Sequence, residues 1–161
     1  MEYRDLYDEN KNLTDQKIEK GEEVPKGLYY VTVVVFIKDS RNCFLLQINK
    51  KYNLWGATGG HPKSGEDSIT GIITEIREEL GYTAEEKDLV LVKTYKTEDD
   101  FVDLYYMEKD IDTSSLVLQN DEVASIRWYT KEEVELLIDK NMMIPSHIEF
   151  FRDIIKYLEE N

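Results

Sequence analysis

The sequence is poor in cysteine, histidine and basic residues, and it has no long apolar run. Its single cysteine, Cys43, excludes an internal disulfide and suits a reducing cytoplasm. That residue lies in Asn-Cys-Phe-Leu-Leu, a predicted strand, where a structural thiol is expected rather than a nucleophile. No segment is long and apolar enough to span a bilayer, and the first residues show no signal-type apolar stretch, so no membrane association is expected. Internal repeats, low-complexity tracts and linkers are also missing. Basic residues number 20 against 34 acidic ones, for a net charge of −14. This balance argues against a nucleic-acid polymer as partner, since phosphate backbones are bound by basic patches. It would also repel a small anionic substrate unless a metal or local Lys and Arg intervened.

What remains is ordinary for a folded protein. With 161 residues and 41% hydrophobic content, one domain over 1–161 can bury a sizeable core. Residues 2–7 read as a short edge strand, followed by a polar turn at 8–12. Residues 13–27 are polar, end in Pro25-Lys26-Gly27, and read as a connector. Residues 28–38 carry Val31, Val33, Val34, Val35, Phe36 and Ile37, the pattern of a strand buried on both faces. A turn at 39–42 returns the chain along 43–49. Residues 55–60 form a short strand into a glycine turn. Further strands are predicted at 89–97 and 101–109, joined by an acidic turn, and at 123–129. Thr130 caps a helix through Ile138, with Glu133 at the capping-box position. A last helix covers 146–160 and turns Ile148, Phe151, Ile154, Ile155 and Leu158 inward. Trp55, Trp128 and most tyrosines are assigned to the core, and His147 to the start of the last helix. Tyr29, Tyr30, Tyr105 and Tyr106 are candidates to stack a base, because one of each adjacent strand pair should face outward.

The most informative stretch is 60–82. Ile69, Ile72, Ile73, Ile76 and Leu80 recur at helical spacing and give one buried stripe. Ser64, with Asp67 three residues later, reads as the helix cap, and Gly81 as its stop. At ~100° per residue, Glu75, Glu78 and Glu79 share a sector of the helix. Such carboxylates repel one another, and a hard divalent cation would turn that repulsion into ligation. In a chain this acidic, a solvated face is the competing explanation. The run resembles the Nudix box: Gly60, Glu66, Glu75, Ile76, Glu78, Glu79 and Gly81 fall in register with it. Thr74 stands where that motif has Arg, and Tyr82 where it has an aliphatic residue. The missing guanidinium puts catalytic competence in question, with Arg77 one turn on as a partial substitute.

The resemblance implies an α+β (α/β) fold, an α/β/α sandwich with a mixed sheet and a central loop-helix-loop. It also implies a Mg²⁺-dependent hydrolase, Mn²⁺ serving as well, that cleaves a nucleoside diphosphate linked to another group by metal-activated water. Glu75, Glu78 and Glu79 would be metal ligands, with Glu75 or Glu79 nearest the water. Glu66 would support the loop or hold an outer metal. Gly59 and Gly60 would let backbone approach the helix and the substrate phosphates. Family members often draw a further carboxylate from a later loop, and Glu122, with Asp121 behind it, is the candidate here; an exposed acidic turn is the alternative. His61 is either a metal or phosphate contact or an exposed loop residue. Family precedent allows a homodimer.

Residues 5–10 and the Trp55…Thr58-Gly59-Gly60-His61-Pro62 segment are similar to the subgroup near isopentenyl-diphosphate isomerase. That enzyme needs a cysteine where this chain has Gly59, and several histidines where this chain matches only His61. Hydrolysis is therefore expected over isomerisation. A nucleotide- or diphosphate-binding protein without turnover is the other reading that Thr74 keeps open.

Overall fold

The computed structural model describes residues 2–118 and 123–161. Its first feature is a hairpin that polarity hides. Strand β1 (Tyr3–Tyr7) pairs antiparallel with β2 (Leu13–Glu19), Arg4 facing Ile18 and Asp5 facing Lys17. The expected connector at 13–27 is thus half strand. Within β2 only Ile18 is buried, while Leu13 is exposed, so no apolar alternation marks it. Its ladder comes from β1 and from a turn in which Asp8 Oδ1 accepts the Asn10 and Asn12 amides, both at 2.9 Å. A backbone partner, not side-chain pattern, makes this strand.

The main sheet is built around a fork. Strand β3 (Tyr30–Lys38) turns through 39–42 into β4 (Cys43–Asn49), and the two pair at Ile37↔Leu45 and Lys38↔Phe44 before they part. The chain then fills the gap it has opened. Strand β5 (Leu54–Gly56) pairs with the far end of β4, and β6 (Thr58–Gly60) pairs with Val33–Val35 of β3. Helix α1 (Ser68–Leu80) follows directly. Strands β7 (Leu89–Lys96) and β8 (Asp100–Glu108) form a hairpin with a register shift between Leu91 and Lys93. β8 lies parallel to β3 over its whole length, so the sheet is mixed. Strand β9 (Val123–Thr130) pairs antiparallel with β4 on its other side, leaving β7 at one end of the strand order.

Strand alternation sends β3 into two cores. Val31, Val33, Val35 and Ile37 pack with Ile72, Ile76 and Leu80 of α1. Val34 and Phe36 pack on the other face, against helices α2 (Lys131–Asp139) and α3 (Pro145–Glu160). There Phe151 meets Phe44 edge to face at 5.2 Å between ring centres. The result is the expected helix–sheet–helix sandwich. Because β8 is covered on both faces, Tyr105 and Tyr106 are both buried, and neither points outward as the sequence suggested. No helix among the described residues is long and apolar enough to cross a membrane.

The helix ends follow the sequence with one exception. Thr130 and Glu133 form the predicted capping box, and Gly81 closes α1 in the left-handed conformation at φ 74°. The N-cap of α1, however, is Asp67, which accepts the Thr70 amide at 2.9 Å. Ser64 instead serves the hairpin, donating its hydroxyl to Asp5 Oδ1 at 2.6 Å.

One buried charge ties these parts together. Asp103 on β8 is fully buried and takes the Lys11 ammonium at 2.6 and 2.7 Å. Ser68 at the start of α1 and Thr94 on β7 each donate a hydroxyl to it at 2.6 Å. Hairpin, helix and sheet therefore meet on one carboxylate. Replacing Lys11 with Met leaves that carboxylate without its cation. Urea denaturation is expected to show a loss of about 3 kcal/mol, whereas an exposed ion pair would change stability by less than about 1 kcal/mol.

Candidate active site

The fork in the sheet decides where the glutamates of α1 lie. Gly60, the last residue of β6, sits against Glu75: a Cβ at this position would come within 2.3 Å of the carboxyl carbon and 2.5 and 2.6 Å of its two oxygens. At Gly59 a Cβ would lie 2.6 Å from the Val33 carbonyl oxygen. At Gly59 the obstacle is backbone, so that position is closed to side chains unless a strand moves; at Gly60 it is the end of the Glu75 side chain, which would have to swing away. The same crowding bears on isomerisation, since a catalytic cysteine cannot be seated at Gly59 in this backbone.

Glu79 is 4% exposed, one turn beyond Glu75 on the buried side of the helix. Its Oε1 accepts the Gln47 side-chain amide at 2.8 Å, and Gln47 in turn accepts the Thr58 hydroxyl at 2.8 Å. This relay from β4 and β6 fixes the orientation of a carboxylate that burial alone would disfavour. Glu78 is exposed and takes the Lys63 ammonium at 2.8 Å. That bond raises the lysine's pKa above its ordinary value, with Glu75 and Glu66 adding to the effect.

Glu66 has a different task. Its Oε1 accepts the Lys63 amide at 2.8 Å and its Oε2 the Thr74 hydroxyl at 2.7 Å. It therefore braces the loop before α1, the first of the two roles expected of it. Thr74 is buried and occupied with this bond, so the position without Arg is not an empty one. Arg77 is exposed and does not line the cleft; the cation nearest the glutamates on this loop is Lys63.

Glu75, Glu78 and Glu79 line one cleft of about 560 Å³, together with Arg4, Lys20 and Lys51. They are not drawn around a single point: among the described residues no three acidic, imidazole or thiol groups are already gathered as a metal site. Glu122 and Asp121 lie outside the described residues. Cys43, on β4 near the hairpin turn, is half-buried and lines no part of the cleft.

A second lobe of about 520 Å³ continues from the first and shares Asn49, Tyr52, His61 and Glu79 with it. Of the four tyrosines singled out from the sequence, Tyr30 lines this lobe, whereas Tyr29 packs on Phe101 at 5.0 Å. Tyr52 was not foreseen, because it lies in a turn where no periodicity marks it. His61 is half-buried between the lobes, its ring edge-on to Tyr30 at 5.3 Å and its Nδ1 3.3 Å from Thr32 Oγ1. Burial first, then the Arg4 charge, lowers its pKa.

His147 has a tautomer dictated by its partner. The Ala57 backbone N–H can only donate, so His147 Nδ1, 3.0 Å away, must accept. The ring is therefore neutral, and burial holds its pKa down to about 4.

Comparison with known proteins places this geometry among relatives. A family model described as NUDIX domain matches residues 28–154. The chain is 33% identical over 151 residues to an uncharacterized Nudix hydrolase of Listeria innocua, covering 90% of this chain and 89% of the relative. Among solved structures it is similar to the protein DR0079 of Deinococcus radiodurans, with a TM-score of 0.74 at 16% identity, covering 94% of this chain and 98% of that one. It is also similar to a bifunctional NMN adenylyltransferase/ADP ribose pyrophosphatase of Francisella tularensis, complexed with AMP and a Mn ion. There the TM-score is 0.65 at 18% identity, covering 88% of this chain and 43% of that one.

The buried neutral imidazole predicts a pH dependence. Between the ordinary histidine value of 6.5 and about 4, the unfolded chain binds a proton that folded His147 refuses. Stability should therefore fall as pH drops through this window, by up to about 3 kcal/mol from this residue alone. Urea midpoints measured from pH 7 to 5 should decline, and the slope should be shallower in His147→Gln.

Proposed function

The chain belongs to the Nudix hydrolase family, and from that premise we propose that it hydrolyses the diphosphate linkage of a nucleoside diphosphate joined to a second group, using Mg²⁺ or Mn²⁺ in the cytoplasm. The observation that carries this reading is the seat of Glu75 on Gly60, where any side chain would collide with the carboxylate. A glycine there leaves Glu75 its place on the cleft beside Glu78 and Glu79, and three carboxylates on one cleft suit a hard cation, which takes carboxylate oxygens.

Glu75, Glu78 and Glu79 are the proposed ligands, with Glu66 holding the loop that presents them. When bound, the metal would supply charge neutralisation at the phosphate oxygens and a lowered pKa for water. The protein supplies the rest. Glu79 or Glu75 accepts a proton from the attacking water, and the Gln47–Thr58 relay keeps the Glu79 carboxylate in one orientation. Lys63, in the loop before α1, keeps a positive charge beside Glu78. Gly59 and Gly60, which line the second lobe, are the proposed backbone contacts for the phosphates. Tyr30 and Tyr52 line the second lobe and are the proposed contacts for a base, in line with the AMP and ADP ribose named for the Francisella protein.

A Mg²⁺ and Mn²⁺ screen against varied diphosphate compounds, with products read by mass, tests the reading. Turnover is expected to need the metal and to fall on the order of 10²- to 10⁴-fold in Glu79→Gln, the range for a lost general base. Turnover unchanged in that variant would remove Glu79 from the machinery.

A further inference from the structure

The loop that presents the glutamates is strapped to the N-terminal hairpin, and the strap fixes one cation. Tyr3 O accepts the Ser64 amide at 2.8 Å, and Asp5 accepts the Ser64 hydroxyl at 2.6 Å and the Gly65 amide at 2.9 Å. Arg4 lies between those two anchored residues, so its backbone cannot shift without the motif loop. Its guanidinium carbon sits 5.4 Å from the centre of the Tyr30 ring, a contact that holds the plane of the group. Among the described residues its Nε is the one buried side-chain polar atom with no hydrogen-bond partner. Folded proteins rarely leave a buried charged donor unsatisfied, because desolvation is then uncompensated.

Arg4 lines the same cleft as the glutamates, and so do Lys20, just past β2, and Lys51, after β4. These three cations share the cleft with Glu2, Glu75, Glu78 and Glu79, so in a chain of net charge −14 they are the local partners that an anion lying there would meet. We propose that Arg4, supported by Lys20 and Lys51, forms an anion subsite that grips the phosphate oxygens of a diphosphate lying in the cleft. This rests on the diphosphate reading above and adds its recognition element. A guanidinium presents its N–H groups as a planar fork that matches phosphate geometry. The hairpin is thereby part of the active site, although it stands outside the main sheet and ahead of the motif.

The test is calorimetric titration of the full chain with imidodiphosphate, whose bridging nitrogen resists cleavage, in the presence of Mg²⁺. Mn²⁺ alone is titrated separately. Arg4→Met should weaken imidodiphosphate binding by about tenfold or more, the loss expected for one charge-assisted hydrogen bond, and leave Mn²⁺ affinity unchanged. Lys51→Met should weaken it by about threefold. Unchanged imidodiphosphate affinity in a folded Arg4→Met chain would overturn the subsite, as would an equal loss of Mn²⁺ affinity or no binding by the wild type. Should Arg4→Met fail to fold, Lys51→Met decides: a threefold loss supports the subsite and none rejects it. The two proposals fail separately. Turnover with an unchanged KM in Arg4→Met sinks the subsite and spares the hydrolase; Arg4-dependent binding without turnover of any compound does the reverse.

Discussion

The close contact between the Gly60 backbone and the Glu75 carboxylate is the constraint on which the site depends. It exists because β3 and β4 pair only near their shared turn and then separate, which admits β6 between them. Once β6 lies against β3, a residue with a side chain at Gly59 would strike the Val33 carbonyl. Helix α1 can then settle onto the sheet with polar groups inside its buried stripe. Thr74 and Glu79 lie among Gly71, Ile72, Ile76 and Leu80 on that side, and each has a hydrogen-bonding partner waiting. Packing and site construction are one event here.

An excess of acid would be expected to weaken such an arrangement by self-repulsion. The structure answers locally, with a partner set on Glu78, Glu79, Glu66 and Asp103. Lys63 sits on Glu78, Gln47 on Glu79, Thr74 and a backbone amide on Glu66, and Lys11 on Asp103. The partners named for Glu79 and Glu66 are neutral, so the site stays negative enough to attract a cation while its carboxylates remain oriented. Bulk charge says little about such a place, because fields in a cleft are set by the nearest groups.

How much of this was legible in the sequence depended on whether the cause was local. The isoleucine stripe of α1, its Gly81 stop, the Thr130–Glu133 capping box and the doubly buried β3 all follow from spacing within one segment, and all were readable. β2 was not, because its seven residues bury little more than Ile18 and its ladder belongs to β1. Ser64 looked like a cap until the hairpin claimed its hydroxyl. Tyr105 and Tyr106 were expected to divide between core and solvent, but helices cover both faces of β8. At the site, the glutamates were visible through a resemblance, whereas Gln47, Lys63, Tyr52 and Arg4 come from four other stretches of chain. No spacing rule unites them; the fold does. Nor does the motif position held by Thr74 announce that its hydroxyl goes to Glu66, or that a lysine from the preceding loop, Lys63, sits on Glu78.

The register shift in β7 has a bearing on the molecule's life in a crowded solution. β7 ends the strand order of the main sheet and exposes Val90 and Leu91, at 40% and 49%, on a strand rich in β-formers. A straight strand of this kind is a template for sheet extension by another chain, the first step toward aggregation. The irregularity falls directly after those two residues, between Leu91 and Lys93, and interrupts the regular ladder beside them. Lys93 and Lys96 then place charge along the remainder. An irregular rung that weakens the ladder from within thus guards the sheet against growth from without.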